Sequence, residues 1–134
     1  MSDAPAAARR TVTEGLFTEE PPRLLGGRCD ECAHHHFPRL DGCPYCGATA
    51  IADVELSDHG TLWGWTTVTA LPPGALGSVP YGFGVVELPE GLRVVTRLAD
   101  PDDTWTFGQP MQLRIAELGP DADGVIVTTW EFAP

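Results

Sequence analysis

The stretch that decides the fold reads Cys29-Asp-Glu-Cys32-Ala-His-His-His-Phe-Pro-Arg-Leu-Asp-Gly-Cys43-Pro-Tyr-Cys46-Gly47, and it holds all four cysteines of this 134-residue chain. They form two C-x-x-C pairs separated by ten residues. A C-x-x-C pair on a tight turn directs both sulfurs at one ion, and two facing pairs supply the thiolate tetrahedron that zinc favours. The spacing therefore predicts one zinc ion, bound by Cys29, Cys32, Cys43 and Cys46.

Other uses of the four cysteines are less consistent with the chain. Two disulfides imply an oxidising compartment, but the start Met1-Ser2-Asp3-Ala4-Pro5 has neither the basic nor the apolar region of a secretory signal. Four thiolates also suit iron, as in rubredoxin, and the cysteines alone do not separate the two metals. Zinc is the expectation. Because all four ligands are protein sulfurs, the ion should stabilise the fold and take no part in chemistry.

The charge of the chain argues against nucleic-acid binding, although zinc ribbons and small β-barrels often bind nucleic acid. The chain has 19 acidic residues against 8 arginines and no lysine, for a formal net charge of −11. Phosphate contacts are made by clusters of Lys and Arg, which are absent here. We keep a single-strand nucleic-acid-binding protein as the alternative function. No run of about 18 apolar residues occurs, so we expect no membrane span and a cytoplasmic location.

The remainder of the chain predicts an all-β fold with little helix. Residues 1–23 are expected to form a flexible arm with one short helical turn over residues 15–20, and residues 24–51 the zinc ribbon. In residues 52–134, five strand-like runs are bounded by Gly and Pro turns, and Leu92 to Leu98 alternates apolar and polar residues. Five antiparallel strands whose first is long and bent by glycine predict a small OB-type β-barrel.

These motifs resemble a known family over residues 24–134. The features that carry the resemblance are the two cysteine pairs with Phe37-Pro38-Arg39 between them, Gly60-Thr61-Leu62-Trp63-Gly64-Trp65, Gly108-Gln109-Pro110-Met111 and the closing Phe132-Ala133-Pro134. Together they are similar to the acyl-CoA-associated OB-fold family labelled domain of unknown function 35. Two departures are the absence of a long amphipathic helix before the ribbon and Ala33, which replaces the common glycine after the first cysteine pair.

The resemblance implies a non-catalytic accessory subunit. Members of this family accompany thiolase-like proteins, in archaeal thiolase and hydroxymethylglutaryl-CoA synthase assemblies, in bacterial thiolases and in aldolases that cleave steroid acyl-CoA side chains. We accordingly expect a thiolase-like partner that carries the catalytic residues, a heterotetramer by analogy, and contact with acyl-CoA. No catalytic residue is assigned to this chain, because its cysteines are committed to metal and His59 is best explained as a turn residue beside Asp58.

Two sets of residues are candidates for binding. Coenzyme A phosphates need positive charge, and the candidates for it are Arg39, Arg93 and Arg97. Exposed aromatic residues anchor protein interfaces, and the candidates for the partner interface are Trp63, Trp65, Tyr81 and Phe83. By simple alternation, Trp63 and Trp65 should share one face of their strand, and Tyr81 and Phe83 one face of the next. The loop over residues 72–80 is a further candidate for partner contacts.

Overall fold

The computed structural model describes residues 8–99 and 104–134, and every regular element in them is a β-strand. The strands are β1 (Arg9–Thr11), β2 (Phe17–Glu19), β3 (Pro22–Cys29), β4 (His35–His36), β5 (Ile51–Glu55), β6 (His59–Val68), β7 (Tyr81–Glu87), β8 (Arg93–Leu98), β9 (Pro110–Pro120) and β10 (Ile126–Ala133). The prediction of an all-β chain is confirmed. No helix in the described residues has the length and apolar character needed to span a bilayer.

Strands β6 to β10 close into a five-stranded barrel. Antiparallel pairing joins β6 to β7 and β7 to β8, while β9 pairs with both β6 and β10. A parallel pairing of Phe132 in β10 with Leu98 in β8 closes the circle. This order, with a bent first strand and a parallel contact between the third and fifth strands, confirms the predicted OB-type barrel.

The barrel core follows from period-two alternation. In β8, Val94, Thr96 and Leu98 are buried, whereas Arg93 and Val95 on the alternate positions are exposed. Because successive side chains of a strand point to opposite sides, one face of each strand fills the interior. The buried cluster comprises Phe17, Leu24, Leu56, Leu62, Val86, Leu88, Leu92, Val94, Leu98, Trp105, Met111, Leu113 and Phe132.

The zinc ribbon is a small sheet centred on β3. β2 pairs with the start of β3, and β4 and β5 pair with its second half. The ribbon packs on the barrel through Phe37, whose ring meets the Trp130 ring of β10 edge-on at 5.5 Å between centroids. Phe37 therefore belongs to the contact between ribbon and barrel, whereas Leu40, three residues later, is exposed.

The beginning of the chain differs from the flexible arm and helical turn that its sequence predicted. Residues 1–7 of that arm lie outside the described residues. From Arg9 to Thr11 the chain forms β1, which pairs in parallel with Ile126 to Thr128 of β10. Arg9 and Arg10 then reach carboxylates at the β9–β10 hairpin, Glu117 and Asp121. The expected helical turn is wrong, because β2 occupies part of that stretch and pairs with β3.

Candidate metal centre and candidate docking face

Each cysteine pair lies on a turn of the backbone that curls around the metal position. The N–H of Ala33 donates to the carbonyl of Cys29, and the N–H of Gly47 donates to the carbonyl of Cys43, both at 2.9 Å. Gly47 has φ +78° and Ala33 has φ +66°. The two turns are therefore alike although only one has glycine, and Ala33 adopts a left-handed conformation that costs an L-residue about 1–2 kcal/mol.

The four sulfurs converge as a tetrahedral site requires. The ligand atoms of Cys29, Cys32, Cys43 and Cys46 all lie within 4.8 Å of one another. Two pairs join the two turns, Cys29 to Cys46 at 3.6 Å and Cys32 to Cys43 at 3.5 Å between Sγ atoms. Zinc–sulfur bonds of about 2.3 Å in a tetrahedron put the sulfurs about 3.8 Å apart. The donor set fits one zinc ion, as the sequence predicted, and leaves no open coordination position.

Without a cation, the cluster cannot carry four negative sulfurs at neutral pH. Burial raises the pKa of the Cys43 thiol, but the N–H groups of Cys46 and Tyr45 donate to it and lower that pKa to about 6. The Ala48 N–H lowers the pKa of Cys46, but Cys29, burial and the other sulfurs raise it to about 12. Because a bound metal ion supplies the positive charge that makes all four thiolates stable, folding of this turn and metal binding are coupled.

The three consecutive histidines of the ribbon have separate environments. His34 is exposed, its Nδ1 is 3.3 Å from Sγ of Cys32, and its ring stacks on Tyr45 at 4.6 Å. His35 pairs with β3 and is half-buried, whereas His36 is buried and its Nε2 accepts the N–H of Leu40 at 3.1 Å. His34 is the one that approaches the metal centre.

The three arginines proposed to bind coenzyme A differ in whether carboxylates already pair with their charge. Arg39 is paired with two carboxylates, those of Asp41 and Asp53. Arg93 is paired with Glu87 at 3.0 Å and lies over the Trp63 ring at 4.1 Å.

Arg97 differs from these two arginines in its surroundings. It lies over the Tyr81 ring at 4.3 Å, and its Nε is buried without a hydrogen-bond partner among the residues that the structure describes. Alternation along β8 puts Arg93 and Arg97 on the same outer face of the strand.

A bulge in β6 changes the expected arrangement of the tryptophans. Leu62 pairs with Val86 and Gly64 with Val85, so Trp63 is an extra residue in the strand. Trp63 contacts Arg93 on the outer side, whereas Trp65 pairs with Gly84 and so points away from the side of Phe83. The expectation that Trp63 and Trp65 share a face is therefore wrong.

Tyr81 and Phe83 do share the outer side of β7. Arg97 of β8 lies over the Tyr81 ring and is the register partner of Phe83. With Trp63 added, three of the four aromatic residues proposed as partner anchors therefore lie on this side of the barrel.

Two further exposed residues join these aromatics on the outside of β6, β7 and β8. Val95, between the two arginines of β8, is 60% exposed, and Phe107, 6.3 Å from the Trp63 ring, is 69% exposed. We call the set Trp63, Phe83, Val95 and Phe107 the aromatic face. Sequence reasoning missed Val95 and Phe107.

The sequence contains a pattern that could have indicated the aromatic face. No Asp, Glu, Lys or Arg occurs from Gly60 to Val86, although 20% of the whole chain is charged.

His59 stands apart from this surface. Its Nδ1 is 3.1 Å from Asp58, whose other carboxylate oxygen is 3.1 Å from Arg23. The hydrogen bond from His59 lowers the pKa of Asp58, and Arg23 adds to that shift. His59 lines an open cleft of about 430 Å³ together with Thr61. The network fixes a surface turn and joins the ribbon strand β3 to the start of the barrel.

Comparison with known proteins agrees with this architecture. A family model described as the ChsH2 rubredoxin-like zinc ribbon domain matches residues 20–52, and one described as the ChsH2 C-terminal OB-fold domain matches residues 53–116. The two matches are consecutive. The boundary between them falls within β5, the strand that pairs with β3 of the ribbon and precedes the first barrel strand.

Relatives and a solved structure extend the similarity. The chain is 30% identical over 111 residues to the benzoylsuccinyl-CoA thiolase subunit BbsA of Thauera aromatica, covering 83% of this chain and 76% of the relative. It is 30% identical over 115 residues to a DUF35 domain-containing scaffold protein of Methanocaldococcus jannaschii, covering 83% and 81%. A solved Ltp2-ChsH2(DUF35) aldolase aligns with a TM-score of 0.65 at 31% identity and 84% coverage of both chains.

Proposed function

Because the chain belongs to the ChsH2 family, whose members join a rubredoxin-like zinc ribbon to an OB fold, we propose that it is a non-catalytic accessory subunit of a thiolase-like enzyme acting on acyl-CoA. One relative is a thiolase subunit, another is a scaffold protein, and the structural neighbour is an aldolase. The reaction of the partner is then either thiolytic cleavage or the retro-aldol cleavage of a steroid acyl-CoA.

The observation that carries the proposal is the aromatic face. Soluble chains seldom leave several large apolar side chains exposed side by side, and protein interfaces are rich in aromatic residues. Here Trp63, Phe83, Val95 and Phe107 are each at least 40% exposed, in and beside a stretch without charged residues. The arginines at its border, Arg93 and Arg97, lie over the rings of Trp63 and Tyr81. Such a surface suits a permanent partner.

The side chains of this chain favour a supporting role over a catalytic one. Its strongest nucleophiles, the four cysteines, face one another around the metal position. His59 is held by Asp58 on an exposed turn, and a catalytic base would need a nucleophile or substrate held beside it. We therefore place the catalytic residues in the partner.

We also propose that the acyl-CoA bound by the partner touches this chain at Arg97. Carboxylates already neutralise Arg39 and Arg93, which leaves less of their charge for a phosphate. The buried Nε of Arg97 has no acceptor within residues 8–99 and 104–134, and a phosphate oxygen would supply one through a charge-assisted hydrogen bond.

The proposal is tested by co-producing the chain with a thiolase-like protein and measuring assembly and acyl-CoA cleavage. We expect a heterotetramer, activity for the pair and none for this chain alone. Val95→Asp should abolish co-purification, because it buries a charge at the centre of the aromatic face. Val12→Asp is the matched control, since Val12 is also exposed but lies beside β1, away from the face.

Two results would refute the proposal. One is thioester cleavage by the isolated chain. The other is salt-sensitive binding of oligonucleotides together with failure to assemble with any thiolase-like protein, which would favour the nucleic-acid alternative.

A further inference from the structure

The four cysteine residues of the metal centre differ in exposure. Cys29 is fully buried and Cys43 is 4% exposed, whereas Cys46 is exposed and Cys32 is intermediate. Of the four residues, Cys46 is therefore the one that an oxidant approaching from solvent meets first. Exposure and thiolate character together decide which cysteine reacts with peroxides. Since a bound metal ion would hold all four sulfurs as thiolates, exposure is the property that distinguishes Cys46.

The opposite edge of the centre is covered. The His34 ring lies against Sγ of Cys32 at 3.3 Å and stacks on Tyr45. Tyr45 belongs to the second turn, and its N–H donates to Sγ of Cys43 at 3.4 Å. The stacked pair thus joins the two turns over the Cys32–Cys43 side.

From this asymmetry we propose that the metal centre is an oxidation site for hydroperoxides, at which Cys46 reacts first and Cys29 completes a disulfide. Cys46 and Cys29 belong to different turns, and their sulfurs are only 3.6 Å apart. The proposed disulfide therefore joins the two turns, unlike the disulfide within a C-x-x-C pair that redox enzymes use.

The chemistry balances with one hydroperoxide for each disulfide. The Cys46 thiolate attacks the O–O bond of H₂O₂, which gives a sulfenic acid and hydroxide. The Cys29 thiolate then attacks the Cys46 sulfur, the S–S bond forms and a second hydroxide leaves. Two electrons pass from the two sulfurs to the peroxide. Losing two of its four thiolates leaves the site with too few ligands to retain zinc.

Oxidation should act on the ribbon more than on the docking face. The turns that bear the cysteines continue into Phe37, which packs on Trp130 of β10. The aromatic face lies on β6, β7 and β8 and does not include that contact. The inference does not depend on the proposed partner, because every part of the site lies within this chain.

The test oxidises the zinc-loaded full-length chain stepwise with H₂O₂ while a chelating dye records released zinc. Residual thiols are alkylated, and the disulfides are mapped by mass spectrometry. Cleavage at Asp and Glu and after aromatic residues separates all four cysteines, because Asp30, Glu31, Asp41 and Tyr45 lie between them. We expect Cys29–Cys46 as the first disulfide and one zinc ion released with it.

Substitution of His34 sharpens the test. His34→Ala should raise the share of Cys32–Cys43 disulfide several-fold without lowering the initial zinc content, and His35→Ala, the matched neighbour, should leave the product ratio unchanged. A first disulfide within a C-x-x-C pair or between Cys32 and Cys43 in the unsubstituted chain would overturn the proposal. Retention of zinc after the first disulfide, or an equal effect of both substitutions, would also overturn it.

Discussion

The ribbon and the barrel are neighbours in one chain but are stabilised in different ways. The barrel buries most of the apolar cluster, with Val86 and Phe132 fully inaccessible. The stretch from Asp30 to Ala50, by contrast, forms one strand of two residues and leaves Leu40 and Tyr45 exposed. A segment this small cannot bury enough apolar surface to order its backbone. This difference indicates that metal binding stabilises the region of the chain that lacks a hydrophobic core.

Removal of the metal should produce the largest difference in stability between the ribbon and the barrel. Structural zinc contributes about 10–16 kcal/mol of apparent binding free energy in small zinc domains, so a strong chelator should unfold the cysteine turns. Hydrogen exchange should show loss of protection at Ala33 and Gly47, whose N–H groups donate within the turns. Amides of β7 and β8 should stay protected. If the barrel melts together with the ribbon, the two regions are not stabilised independently.

A core substitution in the barrel should have the reverse effect. Phe132→Ala removes a fully buried ring from β10 and should cost about 3–5 kcal/mol of unfolding free energy. Urea denaturation measures this loss, while zinc content below the transition should remain at one ion per chain. Loss of zinc from this variant under native conditions would show that the ribbon needs an intact barrel core.

The contact between the regions should contribute less. The edge-on pair of Phe37 and Trp130 is of a type worth about 0.5–1.5 kcal/mol beyond its burial. A double-mutant cycle with Phe37→Ala and Trp130→Ala should give a coupling energy in that range for the zinc-loaded chain. The coupling should vanish after chelation, because Phe37 then loses its position. A coupling energy that is unchanged after metal removal would contradict the idea that metal binding holds the ribbon in place.

The smallest effect is expected at the two cysteine turns. Ala33→Gly should stabilise the zinc-loaded chain by about 0.5–1 kcal/mol. Glycine adopts the positive φ without the steric penalty of a Cβ atom, but it loses more backbone entropy on folding than alanine, which offsets part of the stabilisation. Gly47→Ala is the reciprocal control and should destabilise, although its Cβ would meet nothing within 4 Å. Competition with a zinc chelator measures both changes, and effects of equal sign would be inconsistent with this explanation.

Sequence reasoning reached the metal ligands and the barrel because both depend on local patterns. The spacing of Cys29 to Cys46 and the alternation in β8 are visible in the chain itself. The parallel pairing of β1 with β10 joins residues more than a hundred positions apart. No local sequence pattern near Arg9 predicts this pairing. The bulge at Trp63 was missed for a related reason, since an extra residue is defined only by the register of the partner strand.

The candidate docking residues were found only in part. Aromatic residues drew attention to Trp63 and Phe83, but a strand residue such as Val95 looks like core until the structure shows which side is covered. Phe107 lies in a loop, where no periodicity indicates exposure. The charge-free stretch from Gly60 to Val86 was the available clue.

Hydrogen exchange of the chain alone and in complex with its thiolase-like partner tests the central claim most directly. Docking through the aromatic face predicts slower exchange in peptides of β7 and β8 and around Phe107 when the partner is bound, with no change at β1. Protection confined to β1 or to the ribbon, with β7 and β8 unaffected, would contradict the claim.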